Sequence, residues 1–365
     1  MKKSTAIVLT HGYLNTINAK TCHGLLRYSP RFEIRGVIDK DYGGQDAGEV
    51  MSGKNVGIKV YSSVSDFFDT TNESVDYLII GVATHGGKLP DAFVPEIVLA
   101  IKHKASIING LHDHVYRNDE IAKAAKENEV DLIDIRKPKE LEELTFWHGS
   151  IYDVKAQVIA VLGVDCALGK RTTSGMIYEM CNRKGVKTEM IYTGQTGWMQ
   201  GYKYGFIFDS TLNDFISGEI ESSIVDCDQN ENPDIILLEG QSSLRNPSGP
   251  GGSEFLVSGN AKGVILQIAP KRTYFEGYED QGIIIPSAKD EIELINKYGS
   301  VVIAVTMYTK DMKPEAIERQ KIVLEKELGL PVVAPLYEGV DDLFESIQAY
   351  RRDRALELKN RAAIS

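Results

Sequence analysis

Short apolar runs alternate with polar, helix-forming stretches along the whole chain, and their spacing predicts alternating strands and helices. In the first half, strands are expected at 5–9, 33–38, 77–80, 106–109 and 131–135, each too short for a buried helix and rich in Val, Ile and Leu. Helices are expected at about 18–28, 90–103 and 119–128, between most of those strands. That alternation implies βαβ units and a parallel sheet. The stretch from Lys137-Pro138 to Gly149 is charged and then aromatic, and reads as a connection.

A second α/β pattern follows, with strands expected at 158–162, 187–192, 234–238, 263–267, 301–305 and 332–333, and a late helix over 341–361. Pro247-Ser248-Gly249-Pro250-Gly251-Gly252 is a cluster of helix and strand breakers, expected to be a loop near a site or a mobile lid. No internal repeat is visible. At 365 residues the chain is long for one core, and the pattern divides it into two α/β domains, 1–150 and 151–365.

The strongest chemical signal is Gly163-Val164-Asp165-Cys166-Ala167-Leu168-Gly169-Lys170-Arg171-Thr172-Thr173, between an apolar strand and a plausible helix start. Glycines let the backbone curl so that successive N–H groups face one anion, the helix N-terminus adds partial positive charge, and Lys170 can reach a phosphate oxygen. Gly163, Asp165, Gly169, Lys170, Arg171, Thr172 and Thr173 are therefore the candidate phosphate-ligand residues. The spacing departs from the common loop, with five residues between Gly163 and Gly169 where four are usual. Arg171 also stands where a Ser or Thr hydroxyl would bind Mg²⁺, leaving Thr172 or Thr173 to substitute.

Asp234-Ile235-Ile236-Leu237-Leu238-Glu239-Gly240 is an apolar strand ending in a carboxylate. Strand carboxyl ends line the ligand crevice of doubly wound sheets, so Glu239 is expected near the phosphates, as a base or a Mg²⁺ ligand with Thr172, or else as a helix-capping acid. Gln241 and Ser242 follow it directly. Thr193-Gly194-Gln195-Thr196-Gly197-Trp198 sits beyond the preceding strand, where Gln195 can hydrogen-bond and Trp198 can stack on a substrate. Of the acids that follow, Asp209, Asp214, Glu219 and Glu221, Asp209 is an alternative base, and a solvated surface face explains any of them equally well.

In the first half, His11, His85 and His112 each fall just beyond an expected strand, and Asp39 closes another. A parallel sheet would gather them at one rim, where imidazoles bind substrate, move protons or ligate a metal. His112 is the candidate substrate residue, and His112-Asp113-His114 lacks the helical spacing of a metal site. No Gly-x-Gly-x-x-Gly follows the first strand, which argues against a dinucleotide coenzyme.

The net charge of −11 has no Lys/Arg-rich block to oppose it, so nucleic acid is not the expected partner. No apolar stretch approaches membrane-spanning length, and the apolar run after Met1-Lys2-Lys3 is too short for a signal peptide. Cys22, Cys166, Cys181 and Cys227 are too sparse for a disulfide framework and lack metal-ligand spacing. These features point to a cytoplasmic, small-molecule protein, with homo-oligomerisation left open.

On Gly163–Lys170, Gly194-Gln195-Thr196-Gly197, Glu239-Gly240-Gln241 and Gly110-Leu111-His112, the chain resembles the DgcN-like family over nearly its whole length. That family includes D-glutamate N-acetyltransferases, and the resemblance implies a Rossmann-like parallel-sheet amino-terminal domain followed by a P-loop NTPase-like parallel α/β domain. It also implies acetyl-CoA as co-substrate and an amino acid such as D-glutamate as acceptor. A more distant likeness to dethiobiotin synthetase, matching at Gly163, Asp165, Gly169, Lys170 and Glu239, implies instead an ATP- and Mg²⁺-dependent ligase or kinase acting on a carboxylic acid or amine. A nucleotide-sensing protein without turnover is a third possibility, because P-loops also serve as switches.

Overall fold

The apolar runs of the first half are buried on both faces, as a parallel sheet covered by helices requires. The computed structural model describes residues 3–362, with side chains through 356. The chain divides into two compact units. One extends to Pro138 and also includes Gln195–Tyr202; the other comprises Lys139–Gly194 and residues from Lys203 onward.

In the first unit, strands β1 (Ser4–Leu9), β2 (Phe32–Ile38), β3 (Val60–Tyr61), β4 (Tyr77–Ile80), β5 (Ser106–Asn109) and β6 (Leu132–Asp134) form one sheet in the order β3-β2-β1-β4-β5-β6. All its pairings are parallel. This is the strand order of the open, doubly wound dinucleotide-binding sheet, with the topological switch point between β1 and β4. The expected helices form at Lys20–Arg27, Phe93–Lys102 and Asp119–Asn128. Two further helices, Ala47–Ser52 and Val64–Thr71, were not legible as periodic patterns because they are short and set by their caps. Asp46 accepts from the amides of Gly48 and Glu49, and Ser63 from that of Asp66, satisfying first-turn donors that would otherwise be orphaned.

The second unit carries seven strands: β7 (Gln157–Gly163), β8 (Thr188–Tyr192), β9 (Tyr204–Gly205), β10 (Ile235–Glu239), β11 (Gly263–Ile268), β12 (Val301–Met307) and β13 (Val332–Val333). Their order is β13-β12-β11-β7-β10-β8-β9, again all parallel. The chain leaves β7 toward one side for β8 and β10, then crosses to the other side for β11 to β13. The switch point, and with it the ligand crevice such sheets share, is therefore at the carboxyl end of β7. Helices Lys170–Arg183, Asn213–Glu231, Ala288–Lys297 and Pro314–Leu328 follow their strands, and the late helix runs over Leu343–Ala362.

The segment from Lys139 to Asp153 packs on the second unit through two buried acids of helix Asn213–Glu231. Glu219 accepts from Lys139 Nζ at 2.6 Å and the Thr145 amide at 3.0 Å, and Glu221 from the amides of His148 and Ile151. Both carboxylates are thus structural anchors, buried themselves and hydrogen-bonded by donors of this segment. No helix among the described residues is long and apolar enough to cross a membrane.

Candidate functional site

The glycine-rich loop joins β7 to helix Lys170–Arg183 and is held open by backbone geometry that its residues tolerate unequally. Gly169 has φ +90, where a side chain is disfavoured, whereas Ala167 (φ +53) and, on the neighbouring loop, Ser242 (φ +46) adopt positive φ without being glycine. Lys170 opens the helix and is buried, its Nζ donating to the carbonyls of Asp165 at 2.7 Å and Ser242 at 2.8 Å. Burial pulls the ammonium down to about 8, against the opposing pull of the nearby Cys166, Asp165 and Glu239. At Gly163 an added Cβ would stand 3.1 Å from the Lys170 side chain and 3.2 Å from the Gln267 carbonyl, so this glycine gives the lysine its path.

Glu239 ends β10, the strand directly beside β7, with Glu239 opposite Val161. On the far side of β10 lies β8, whose following residues close on the carboxylate: the Thr193 amide donates to Oε2 at 3.0 Å and the Gly194 amide also donates to it. The Thr193 hydroxyl donates to the Glu239 carbonyl at 2.7 Å and accepts from Gln241 Nε2 at 3.1 Å. A Cβ on Gly194 would come within 2.9 Å of that same Gln241 nitrogen, so a side chain there would push the Gln241 amide aside. Burial raises the Glu239 carboxyl to about 7, against the pull of the Arg171 guanidinium, the two amides and Lys170. A lysine opening the helix after the β7 loop and a carboxylate ending the adjacent strand β10, with values displaced toward each other, form an environment suited to proton transfer near neutrality.

The structure distributes the other expected residues unevenly. Gln241 and Ser242 lie with Glu239 and Lys170, as described. Asp209 is exposed on a short turn, Phe208–Ser210. Gln195 and Trp198 lie on helix Gln195–Gln200 and pack within the first unit: Gln195 crosses over Gly110, where a Cβ would stand 2.7 Å from its Cγ, and Arg31 covers the Trp198 ring at 4.1 Å. His112 is in the same unit and exposed. Trp198 is half-buried, with one face of its ring taken by the guanidinium.

Two of the expected ligand side chains have internal duties instead. Thr173 is buried and donates to Gln267 Oε1 at 2.7 Å, an oxygen that also accepts from Thr306. Asp165 is fully buried and braces the loop, accepting from Arg272 at 2.7 Å, the Glu276 amide at 2.9 Å, Asn246 Nδ2 at 3.0 Å and its neighbour Cys166. The breaker cluster is tied to this brace: Asn246 also accepts from the Ser248 amide and hydroxyl, and Gly251 donates to the Ser243 carbonyl. Arg272 and Asn246 were missed in the sequence, although Arg272 falls just beyond the carboxyl end of β11, the position that marks ligand crevices.

The brace yields a direct expectation. Asp165→Asn keeps the shape but leaves the Arg272 guanidinium without its buried counter-charge, and breaking such a pair from one side costs about 3 kcal/mol or more. The melting temperature should fall by ~6–12 °C for a unit of this size, read by calorimetry. An unchanged transition would mean that Glu276, which also pairs with Arg272 at 2.9 Å, carries the guanidinium alone.

Among the described residues no group of three or more His, Cys, Asp or Glu is placed to hold a metal ion. The comparisons with known proteins agree with this architecture. Residues 145–344 match a family model described as a domain of unknown function, DUF1611_C, P-loop domain, and residues 40–138 match the DUF1611_N Rossmann-like domain. A crystal structure of a DUF1611 family protein from Anabaena variabilis superposes with a TM-score of 0.86 at 24% identity, covering 95% of this chain and all of that one. Two curated relatives, from a Pseudoalteromonas species and from Tritonibacter scottomollicae, are 29% and 27% identical, each over 74% of this chain and 80% and 81% of their own length. Both are named D-glutamate N-acetyltransferase.

Proposed function

We propose that this chain, which belongs to the DUF1611 family with its Rossmann-like and P-loop domains, is an enzyme that transfers a group from a nucleotide-bearing co-substrate to a small molecule. The observation that carries the reading is the placement of buried Lys170, at the start of the helix after the β7 loop, and of Glu239, its carboxyl raised to about 7, at the end of the neighbouring strand β10. In this reading Lys170 exchanges its two loop carbonyls for phosphate oxygens, and the amides of the 163–170 loop and the helix start complete the anion site. Glu239, once ionised, accepts the proton that a substrate amine or acid must lose.

Two co-substrates fit this description, and different observations support each. The P-loop domain supports ATP with Mg²⁺, which Glu239 and Thr172 would hold; Thr173 and Ser174 spend their hydroxyls on Gln267 and the Lys170 carbonyl, and Thr172 has neither commitment. The names of the two curated relatives support acetyl-CoA and an amino acid acceptor. Arg171, which stands in place of the usual metal-binding hydroxyl and pulls on Glu239, supplies a cation for phosphate instead. When bound, acetyl-CoA would supply an activated thioester, and Mg²⁺-ATP an activated phosphoryl group.

A thermal-shift comparison separates them, because a ligand stabilises the native state by about 2.7 kcal/mol at a hundredfold excess over its Kd. In the acetyl-transfer reading acetyl-CoA raises the melting temperature more than Mg²⁺-ATP at equal concentration, and Arg171→Thr reverses the order. A wild-type response to Mg²⁺-ATP alone, with ADP released only when a small carboxylic acid or amine is present, establishes the ATP-dependent reading. No response to either removes the nucleotide site.

A further inference from the structure

We propose that the aromatic segment 146–152, together with the start of helix Asn213–Glu231, is the face through which two copies of this chain pair. This goes beyond the phosphate-loop reading and stands without it. Phe146, Trp147 and Tyr152 are 56%, 39% and 67% exposed, and printed neighbours join them into one patch of the second unit. The Phe146 ring lies 4.4 Å from that of Phe215, on the first turn of the helix, with exposed Leu212 just before it. Trp147 meets Tyr152 edge-on at 6.0 Å and donates from Nε1 to the Ser258 carbonyl at 3.2 Å, beside exposed Val257.

The segment that carries the rings is fastened down. The amides of Thr145, His148 and Ile151 donate to buried Glu219 and Glu221, and Gly218 lets the Thr145 carbonyl settle onto the helix, where a Cβ would collide with it. Anchors already ordered lose little freedom on association. The polar atoms among them are also spent: the indole N–H on the Ser258 carbonyl, and the Ser258 hydroxyl on that of Ser217 at 2.9 Å. Covering these groups strands no donor, which suits an apolar contact.

Area selects the occupant. An aromatic side chain has about 150–250 Å² to cover, so the exposed fractions of the three rings leave roughly 300 Å². Leu212, Val257 and Leu141, which is exposed on the turn Leu141–Glu143, bring the apolar area to roughly 450 Å². Monomeric proteins rarely expose a contiguous apolar patch beyond a few hundred Å². A stable dimer covers about 800 Å² on each copy, roughly 60% of it apolar, which is close to what this face supplies. A two-fold contact sets the same patch against itself, and an uncharged apolar centre is complementary to itself. The rim sets the response to salt. Glu140, Glu142 and Glu143 flank Leu141, and Asp214 follows Leu212, all of them exposed, so two copies bring like charges together. Salt screens that repulsion and tightens the pair, whereas capture of a basic partner would loosen.

The test is sedimentation equilibrium of the whole protein across about 1–100 μM, at low and high sodium chloride. Wild type is expected to be a dimer that tightens with salt. Tyr152→Glu and Val257→Glu each change an exposed side chain, and each is expected to weaken the dimer at least tenfold with the melting temperature unchanged; the second stands should the first unfold. Ile322→Glu, exposed on helix Pro314–Leu328, is expected to leave the dimer intact. A monomer at every concentration, a dimer unchanged by a folded face variant, equal weakening by Ile322→Glu, or a dimer that loosens with salt overturns the proposal. None of these outcomes bears on nucleotide binding at Lys170, so the two readings fail separately.

Discussion

Replacing Lys170 with Met is expected to weaken nucleotide binding more than tenfold while leaving the ligand-free protein at least as stable near pH 7. The first half follows from charge-assisted hydrogen bonds to phosphate, each worth roughly 1.5–3 kcal/mol. The second follows from burial. Folding lowers the lysine from its ordinary 10.5 to about 8, so below that pH the folded state holds a charge it disfavours, at a cost on the order of 3 kcal/mol. Between about pH 8 and 10.5 the unfolded chain binds more protons than the folded one, and wild-type stability therefore rises with pH relative to the Met variant. Against this gain, Met leaves the Asp165 and Ser242 carbonyls without their donor, roughly 1–3 kcal/mol. Denaturant unfolding at pH 7 and pH 10, with titration of Mg²⁺-ATP and acetyl-CoA, measures both halves. Undiminished affinity for the responding nucleotide would take the loop out of the site.

The central strands and the phosphate loop were legible because their signals are local: an apolar run, a glycine pair, and a lysine at a helix start. Expected and observed strands coincide at Tyr77–Ile80, Ser106–Asn109 and Val332–Val333. The alternation of strand and helix fixed parallel pairing, and parallel pairing alone placed Glu239 beside the loop. What depended on long-range partners was not legible. Asp165 looked like a ligand group in the sequence, and only the fold brings Asn246 and the pair Arg272 and Glu276 to it from two distant segments. Helix Gln195–Gln200 follows a strand of one unit yet packs with the other, where Gln200 bonds the carbonyls of Gly24 and Tyr28 and Thr196 meets Thr21. Nothing in its spacing carries that information. Two helices escaped for a different reason: buried positions run around Asn213–Glu231, and Pro314–Leu328 sets exposed Ile322 and Val323 beside a face on which only Ile317 and Leu324 are fully buried, so neither sequence shows a clean apolar stripe.

Glu239→Gln is expected to keep the nucleotide and lose at least a hundredfold in turnover, the usual contribution of a positioned general base. The amide preserves one oxygen to accept from Thr193 but has no basic lone pair to offer a substrate. Because burial raises Glu239 to about 7, wild-type turnover should rise as pH increases through that value, where the carboxyl ionises. The same displacement acts on stability. Between about 4.5 and 7 the folded state binds the proton that the unfolded state releases, so the contribution is complete below about 4.5 and lost as pH rises through 7. Relative to the Gln variant, wild type should lose on the order of 3 kcal/mol across that window, the other carboxyls that titrate there being common to both proteins. The two readouts separate a base from a packing group: a carboxyl that only receives the Thr193 and Gly194 amides gives the stability difference without the turnover loss. Should the variant turn over at the wild-type rate, the base lies elsewhere, with exposed Asp209 the next residue to replace.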